Sequence, residues 1–117
     1  MIYGRLYGED GRPRIARVAR TAHFYDRMRG LLGTSGLPQA EALLIDPCSS
    51  IHTWGMRYTI DAAFLDRNWT IIRIVRGLKP WRMAACAAAV MVLETCEGGL
   101  ETMQLYRGIK LEWRTDE

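Results

Sequence analysis

The chain has 117 residues, which is enough for one compact domain with one hydrophobic core and too short for two. Hydrophobic residues make up 49% and charged residues 25%, which does not fit a disordered, collagen-like or coiled-coil protein. The formal net charge of +3 is a mild excess, and acidic residues interrupt the N-terminal arginines, so nucleic acid is not the favoured partner. We therefore expect residues 1–117 to form a single domain.

The first half of the chain predicts strands around one helix. Residues 2–7 and 14–20 alternate apolar and polar side chains and are separated by glycine and proline, which predicts two strands joined by a turn. Apolar residues at helical spacing predict a helix over residues 23–32, capped by Thr21. The continuous apolar run 42–45 predicts a buried strand.

The second half predicts further strands with short helical turns. A period-two pattern from Met56 to Phe64 predicts a strand with Arg57 and Asp61 on the face opposite the apolar one. Residues 60–75 form the clearest predicted hairpin of the sequence.

The C-terminal pattern is less regular. Residues 84–89 have helical propensity, whereas 90–93 favour a buried strand. Residues 101–106 predict one or two helical turns, and 109–113 alternate as a closing strand.

The cysteines and the N-terminus bear on the compartment. Cys48, Cys86 and Cys96 are an odd number without metal-site spacing, so we expect reduced packing residues and no disulfide framework. The N-terminus shows no signal peptide, and the longest apolar run, 83–93, is about half of what a membrane-spanning helix needs. These features predict a cytoplasmic protein without a transmembrane segment.

Most chemically reactive side chains lie in residues 47–61. Cys48, His52 and Met56 stand four residues apart, a string of soft ligands similar to a blue-copper loop. A copper site needs a second histidine, and the only other one, His23, falls in the predicted helix. We therefore predict no metal site and no cofactor, with Cys48 and Met56 as packing residues.

Two further interpretations of the same segment stay open. Ser49 or Ser50 with His52 and Asp61 supplies the atoms of a hydrolytic triad, but no nucleophile-elbow motif accompanies them. Arg57 and Asp61 on one strand face are able to pair or to hold an anionic group, with His52 and Trp54 beside them. If the strand is straight, the two charges are about 13 Å apart and do not pair directly.

Ordered sequence blocks carry a resemblance to a known family. The blocks occupy residues 29–33, 37–38, 47–61, 64–66, 78–80, 92–94 and 106–108. In their order and spacing they resemble domain of unknown function 192, an uncharacterised bacterial and archaeal family. The resemblance implies an α+β fold with a curled, mostly antiparallel, barrel-like sheet and two or three short helices, and it implies no activity.

The resemblance and the residues together define a candidate site. Family residue types carry over to Trp54, Met56, Arg57 and Asp61, whereas many relatives lack the cysteine and histidine of this segment. We predict that His52, Trp54, Arg57 and Asp61 form a polar and aromatic rim that binds a small polar ligand or a protein partner. The alternative is a small enzyme that uses His52 with Arg57 and Asp61. The sequence does not predict the oligomeric state.

Overall fold

The structure, a computed structural model, describes residues 2–22, 37–38 and 40–116. This part of the chain is mostly strand with one short helix. In chain order the elements are β1 (Ile2–Gly8), β2 (Pro13–Thr21), β3 (Glu41–Ile45), β4 (Ser50–His52), β5 (Ile60–Leu65), β6 (Ile71–Leu78), β7 (Met83–Ala85), β8 (Met91–Cys96), α1 (Gly99–Thr102) and β9 (Leu111–Thr115). No helix within the described ranges is long and apolar enough to cross a membrane.

Seven strands form one mixed sheet in the order β6-β5-β8-β3-β2-β1-β9. Neighbouring strands are antiparallel except β2 and β3, which are parallel. β4 and β7 pair with each other in a second, two-stranded sheet, which we call the ribbon, with Ile51 opposite Ala84 and His52 opposite Met83. The barrel-like closure is not confirmed, because the large sheet is open, with β6 and β9 at its ends.

Apolar side chains cover both faces of the large sheet. One face packs against α1 and the residues that follow it, through Leu44, Ala63, Leu93 and Leu100, and we call it the helix-side core. The opposite face packs against the ribbon, and we call it the ribbon-side core; its members include Leu43, Ile51, Met56, Ile60, Ala62, Phe64, Ala84 and Val92. Because successive side chains of a strand alternate between faces, each central strand contributes to both cores.

Several predicted elements are confirmed. The hairpin predicted over residues 60–75 is formed by β5 and β6, and the strands predicted at residues 2–7, 14–20 and 42–45 correspond to β1, β2 and β3. The predicted closing strand is β9, shifted by two residues. The helix predicted at 23–32 lies outside the described residues.

Two predictions need correction, and a third is not confirmed. The strand expected from Met56 begins at Ile60, and all six residues of β5 are buried because β5 lies between β6 and β8 with a core on each face. The helical propensity of 84–89 is overridden by pairing of β7 with β4, followed by a turn. The described residues contain one α-helix, α1, so the predicted two or three helices are not confirmed.

Candidate interaction surface

The four residues predicted as a rim are divided between the ribbon and the opposite face of the large sheet. His52 ends β4 and is half-buried, whereas Trp54 and Arg57 are exposed in the segment that leads to β5. Asp61 is on β5 and is 1% exposed. No ion pair joins the described residues Arg57 and Asp61 within 4.0 Å. The structure therefore brings His52 and Trp54 together and separates Asp61 from them.

Trp54 is displayed by a tight turn at the end of β4. The turn covers residues 53–56 and is closed by a hydrogen bond of 3.1 Å from the Met56 N–H to the Thr53 carbonyl. Its third residue, Gly55, has φ of +82°, a conformation that glycine adopts without the steric cost of a Cβ. The Trp54 ring lies against the His52 ring, with centroids 4.7 Å apart. The indole is thus held in place while most of its surface stays in solvent.

A second turn, at residues 79–82, presents Trp81 just before β7. Proline is at the second position, which suits its fixed φ, but the third position is Trp81 with φ of +65°. This position normally takes glycine or asparagine, because a side chain with a Cβ is strained at positive φ. Trp81 is 65% exposed, so packing within the domain does not explain the choice of residue.

Thr53 fixes the two turns to each other. Its hydroxyl donates to the Lys79 carbonyl at 2.6 Å and accepts from the Arg82 N–H at 2.9 Å, so it bridges the first and last residues of the second turn. Its backbone N–H donates to the Arg82 carbonyl, and its carbonyl accepts the Trp81 N–H. Thr53 is fully buried. One residue of the first turn therefore determines the conformation of the second.

We expect Thr53→Val to lower the free energy of unfolding by about 2 kcal/mol, because the Lys79 carbonyl and the Arg82 N–H both lose their partner. Thr53→Ser keeps the hydroxyl and is the matched control, with a loss of under about 1 kcal/mol. Urea unfolding measures both variants. Equal stability of the Val and Ser variants would show that the hydroxyl does not hold the second turn.

The two turns and the ribbon together form an exposed apolar surface with cations around it. Of the five large hydrophobic side chains exposed in the described ranges, three lie here: Trp54 (55% exposed), Trp81 (65%) and Met83 (62%). The cations in or beside the turns are Arg57, Lys79 and Arg82, all exposed. We call these six residues the aromatic-basic surface. The sequence has no acidic residue at positions 47–60 or 67–93, so no carboxylate from these segments neutralises the cations.

Asp61 points away from this surface. Ile60, Ala62 and Phe64 belong to the ribbon-side core, so alternation along β5 directs Asp61 to the opposite face of the sheet. There its two carboxylate oxygens accept the backbone N–H groups of Gly77 at 2.9 Å and Gly98 at 3.0 Å. Asp61 thereby holds the end of β6, two residues before Lys79. It supports the second turn through the backbone and does not contact Arg57 in an ion pair.

A second buried carboxyl group lies on the ribbon-side face. Glu94 of β8 is between Leu43 and Ala62 of the paired strands and is fully buried. Among the described residues neither of its oxygens has a hydrogen-bond partner. Burial raises the pKa of Glu94 to about 8, because the charged form loses its hydration. The group is therefore neutral at pH 7.

Glu94 affects two half-buried neighbours. Burial, with a smaller contribution from the nearby Glu94 charge, raises the pKa of Tyr58 to about 12. Burial also raises the pKa of the Cys48 thiol, which donates to the Ser50 carbonyl at 3.0 Å. A raised thiol pKa reduces the thiolate fraction and hence the nucleophilicity of Cys48.

The structure also shows where the cysteines and the residues of the considered copper and triad sites lie. Cys48, Cys86 and Cys96 are free of disulfide bonds and half-buried. Within the described part of the chain no group of three or more His, Cys, Asp or Glu residues is placed to hold a metal ion, and Met56 is buried in the ribbon-side core. His23 lies outside the described residues. Asp61, the carboxylate of the hydrolytic triad considered from the sequence, lies on the face of the sheet opposite the ribbon.

Sequence reasoning missed four of the six residues of the aromatic-basic surface. Trp81, Met83, Lys79 and Arg82 are more than twenty residues from Trp54 in sequence and come beside it only through the pairing of β4 with β7. The one available signal was the Lys79-Pro80 pair, which indicates a turn. Nothing in the sequence indicated that Trp81, the third residue of that turn, is exposed and has positive φ.

Comparisons with known proteins agree with the sequence blocks. Residues 7–113 match the family model of domain of unknown function 192, described as an uncharacterised ACR. A UPF0127 protein of Thermococcus sibiricus is 27% identical over 106 residues, which cover 86% of this chain and 68% of the relative.

Two solved structures share the fold. A protein from Sinorhizobium meliloti 1021, described as a candidate transcription regulator, superposes with a TM-score of 0.76 at 19% identity, covering 96% of this chain and 92% of that one. A protein of unknown function from Novosphingobium aromaticivorans DSM 12444 gives 0.68 at 18% identity, covering 95% and 84%. At these identities the likeness concerns the fold alone.

Proposed function

The chain belongs to the family of domain of unknown function 192, and from the geometry of its ribbon we propose that it is an interaction module that binds an anionic partner through the aromatic-basic surface. The partner carries its negative charge next to an apolar portion, because the surface has exposed apolar side chains at its centre and cations beside them.

The conformation of Trp81 carries this proposal. A non-glycine residue at positive φ costs about 1 kcal/mol or more, and an exposed indole recovers little of that cost through packing. Tryptophan is also the residue type that most often supplies binding energy at protein surfaces. A side chain that folding does not require, held at a strained position by the Thr53 carbonyl, is best explained by contact with a partner.

The predicted rim residues have different roles in this proposal. His52 supports the Trp54 ring, Trp54 supplies apolar contact, and Arg57 contributes positive charge. Asp61 acts as a positioning residue, because its bond to the Gly77 N–H holds the end of β6 before the second turn. All four residues contribute to the surface, and Asp61 does so by anchoring the backbone and not by pairing with Arg57.

The geometry favours binding over the alternative enzyme. Acid–base work by His52 with Arg57 and Asp61 requires the three groups to approach one reacting atom. The Asp61 oxygens are instead occupied by two backbone N–H groups on the face of the sheet away from the ribbon.

We expect an anionic aromatic probe, 8-anilinonaphthalene-1-sulfonate, to bind at this surface. Titrated into the 15N-labelled chain, it should shift amide signals of residues 52–57 and 79–83 and the indole N–H signals of Trp54 and Trp81. Trp81→Gly and Arg82→Gln should each weaken binding at least threefold. The matched controls are Tyr106→Ala and Arg76→Gln, which alter an exposed aromatic–cation pair elsewhere, with the guanidinium 5.9 Å from the ring. Shifts confined to other regions, or equal affinities in all variants, would contradict the proposal.

A further inference from the structure

We infer that the anionic partner of the aromatic-basic surface is a lipid bilayer with acidic headgroups, an inference that rests on the proposed function and names its partner. The protein would lie on the membrane through the tips of the two turns and the outer face of β7.

The exposed apolar side chains are those that partition into a membrane interface. Trp54 and Trp81 are at the tips of adjacent turns, and Met83 follows on the outer face of the ribbon, opposite His52. Tryptophan is enriched at the headgroup level because its ring is apolar and its N–H is polar. The turn backbone that carries both indoles is fixed by Thr53, so little conformational order has to be gained on insertion.

The cations are placed to contact headgroup phosphates. Arg57 follows the first turn, and Lys79 and Arg82 begin and end the second. Long basic side chains can keep their charge at the headgroup level while neighbouring apolar groups enter deeper. Each Lys or Arg close to an acidic membrane contributes about a fivefold gain in partitioning. No acidic residue of the segments 47–60 and 67–93 opposes this attraction.

The same surface is less suited to single-stranded nucleic acid. Sequence-independent nucleic-acid binding uses aromatic rings with free faces on which bases stack. Here the Trp54 ring already lies against His52, and Met83 offers no aromatic face. A membrane needs neither a free ring face nor a shaped groove, only apolar groups that protrude beside cations.

Vesicle co-sedimentation of the full chain tests the inference. Extruded vesicles of phosphatidylcholine alone are compared with vesicles containing 30% phosphatidylglycerol. We expect at least tenfold stronger partitioning onto the acidic vesicles, weakened by salt. Trp81→Gly should reduce it at least tenfold and Arg82→Gln about fivefold, whereas Tyr106→Ala and Arg76→Gln leave it unchanged. Phosphatidylglycerol with brominated acyl chains should quench tryptophan fluorescence in the wild-type chain and less so in Trp81→Gly.

The outcomes separate this inference from the proposed function. If the sulfonate probe binds at the two turns but acidic vesicles are not bound, the lipid assignment is wrong and the proposed function stands. If a fluorescent oligothymidylate binds more tightly than the vesicles and is lost in Trp81→Gly, the partner is nucleic acid and the lipid assignment is again wrong. If neither probe nor vesicles bind, both proposals fail. The inference is supported only if the chain binds acidic vesicles and the variants of the aromatic-basic surface weaken this binding.

Discussion

Asp61→Ala is expected to lower the free energy of unfolding by about 4 kcal/mol. The carboxylate is almost fully buried and accepts two backbone N–H groups, from Gly77 and Gly98. A hydrogen bond to a charged group contributes about 1.5–3 kcal/mol, and a buried donor left without a partner adds a desolvation cost. Both glycines have positive φ, and Gly77 lies where the register between β5 and β6 shifts, so the two bonds hold irregular backbone. Loss of the carboxylate releases the end of β6 and the approach to α1 together.

The chain offers a matched control for this experiment. Asp66 also accepts two backbone N–H groups, from Asn68 and Thr70, but it is half-buried in the turn between β5 and β6. Asp66→Ala should therefore cost only about 1 kcal/mol, because water replaces the lost acceptor. Asp61→Asn should lie between the two alanine variants, since an amide keeps one acceptor oxygen but directs an NH2 group at a donor. Urea unfolding decides the matter: if Asp61→Ala costs no more than Asp66→Ala, Asp61 belongs to an exposed rim as the sequence pattern first indicated.

Asp61 shows what the period-two pattern of a strand predicts and what it does not. Alternation placed Asp61 correctly on the face opposite Ile60 and Ala62. It did not show that the face is also buried, because burial of both faces depends on β6 and β8 lying on either side of β5. A polar residue in such a strand is predicted to be exposed unless its hydrogen-bond partners are known. The partners of Asp61 are the N–H groups of glycines that lie 16 and 37 residues away in the sequence.

Elements with strong local signals were predictable from the sequence. The hairpin of β5 and β6 has Asp66, Arg67 and Asn68 in its turn and β-branched residues after it, so local chemistry and tertiary pairing agree. The ribbon has no comparable signal. Its strands are three residues long, and the alanines after Met83 favour a helix locally, so only pairing with β4 selects the extended conformation.

The largest pH effect is expected from Glu94. Its ordinary pKa of 4.5 applies in the unfolded chain, and burial raises the pKa in the folded chain to about 8. Between these values the folded chain binds one more proton than the unfolded chain, so unfolding releases a proton and stability falls as pH rises. The loss approaches about 1.4 kcal/mol per pH unit and totals on the order of 4 kcal/mol by pH 8. Below pH 4.5 this group causes no further change, because both states are protonated.

Glu94→Met isolates this contribution. Methionine is unbranched and of similar length, so it fills the space between Leu43 and Ala62 without a buried polar atom. Above pH 8 the variant should be more stable than the wild type by several kcal/mol, whereas at pH 4.5 the two should differ little. Glu94→Gln should also remove the pH dependence but gain less stability, because its amide stays buried among apolar groups. Tyr58 and Cys48, the titratable neighbours, both have raised pKa values and stay neutral through most of this range.

Urea unfolding from pH 5 to pH 8.5 measures the effect as the difference between wild type and Glu94→Met. Taking the difference removes the titration of exposed carboxylates, which both chains share. A difference that grows with pH, and more slowly near pH 8, indicates a buried carboxyl that is neutral in the fold. A constant difference across the range would mean that Glu94 is ionised or solvated in the folded chain, and the ribbon would then have to open above it.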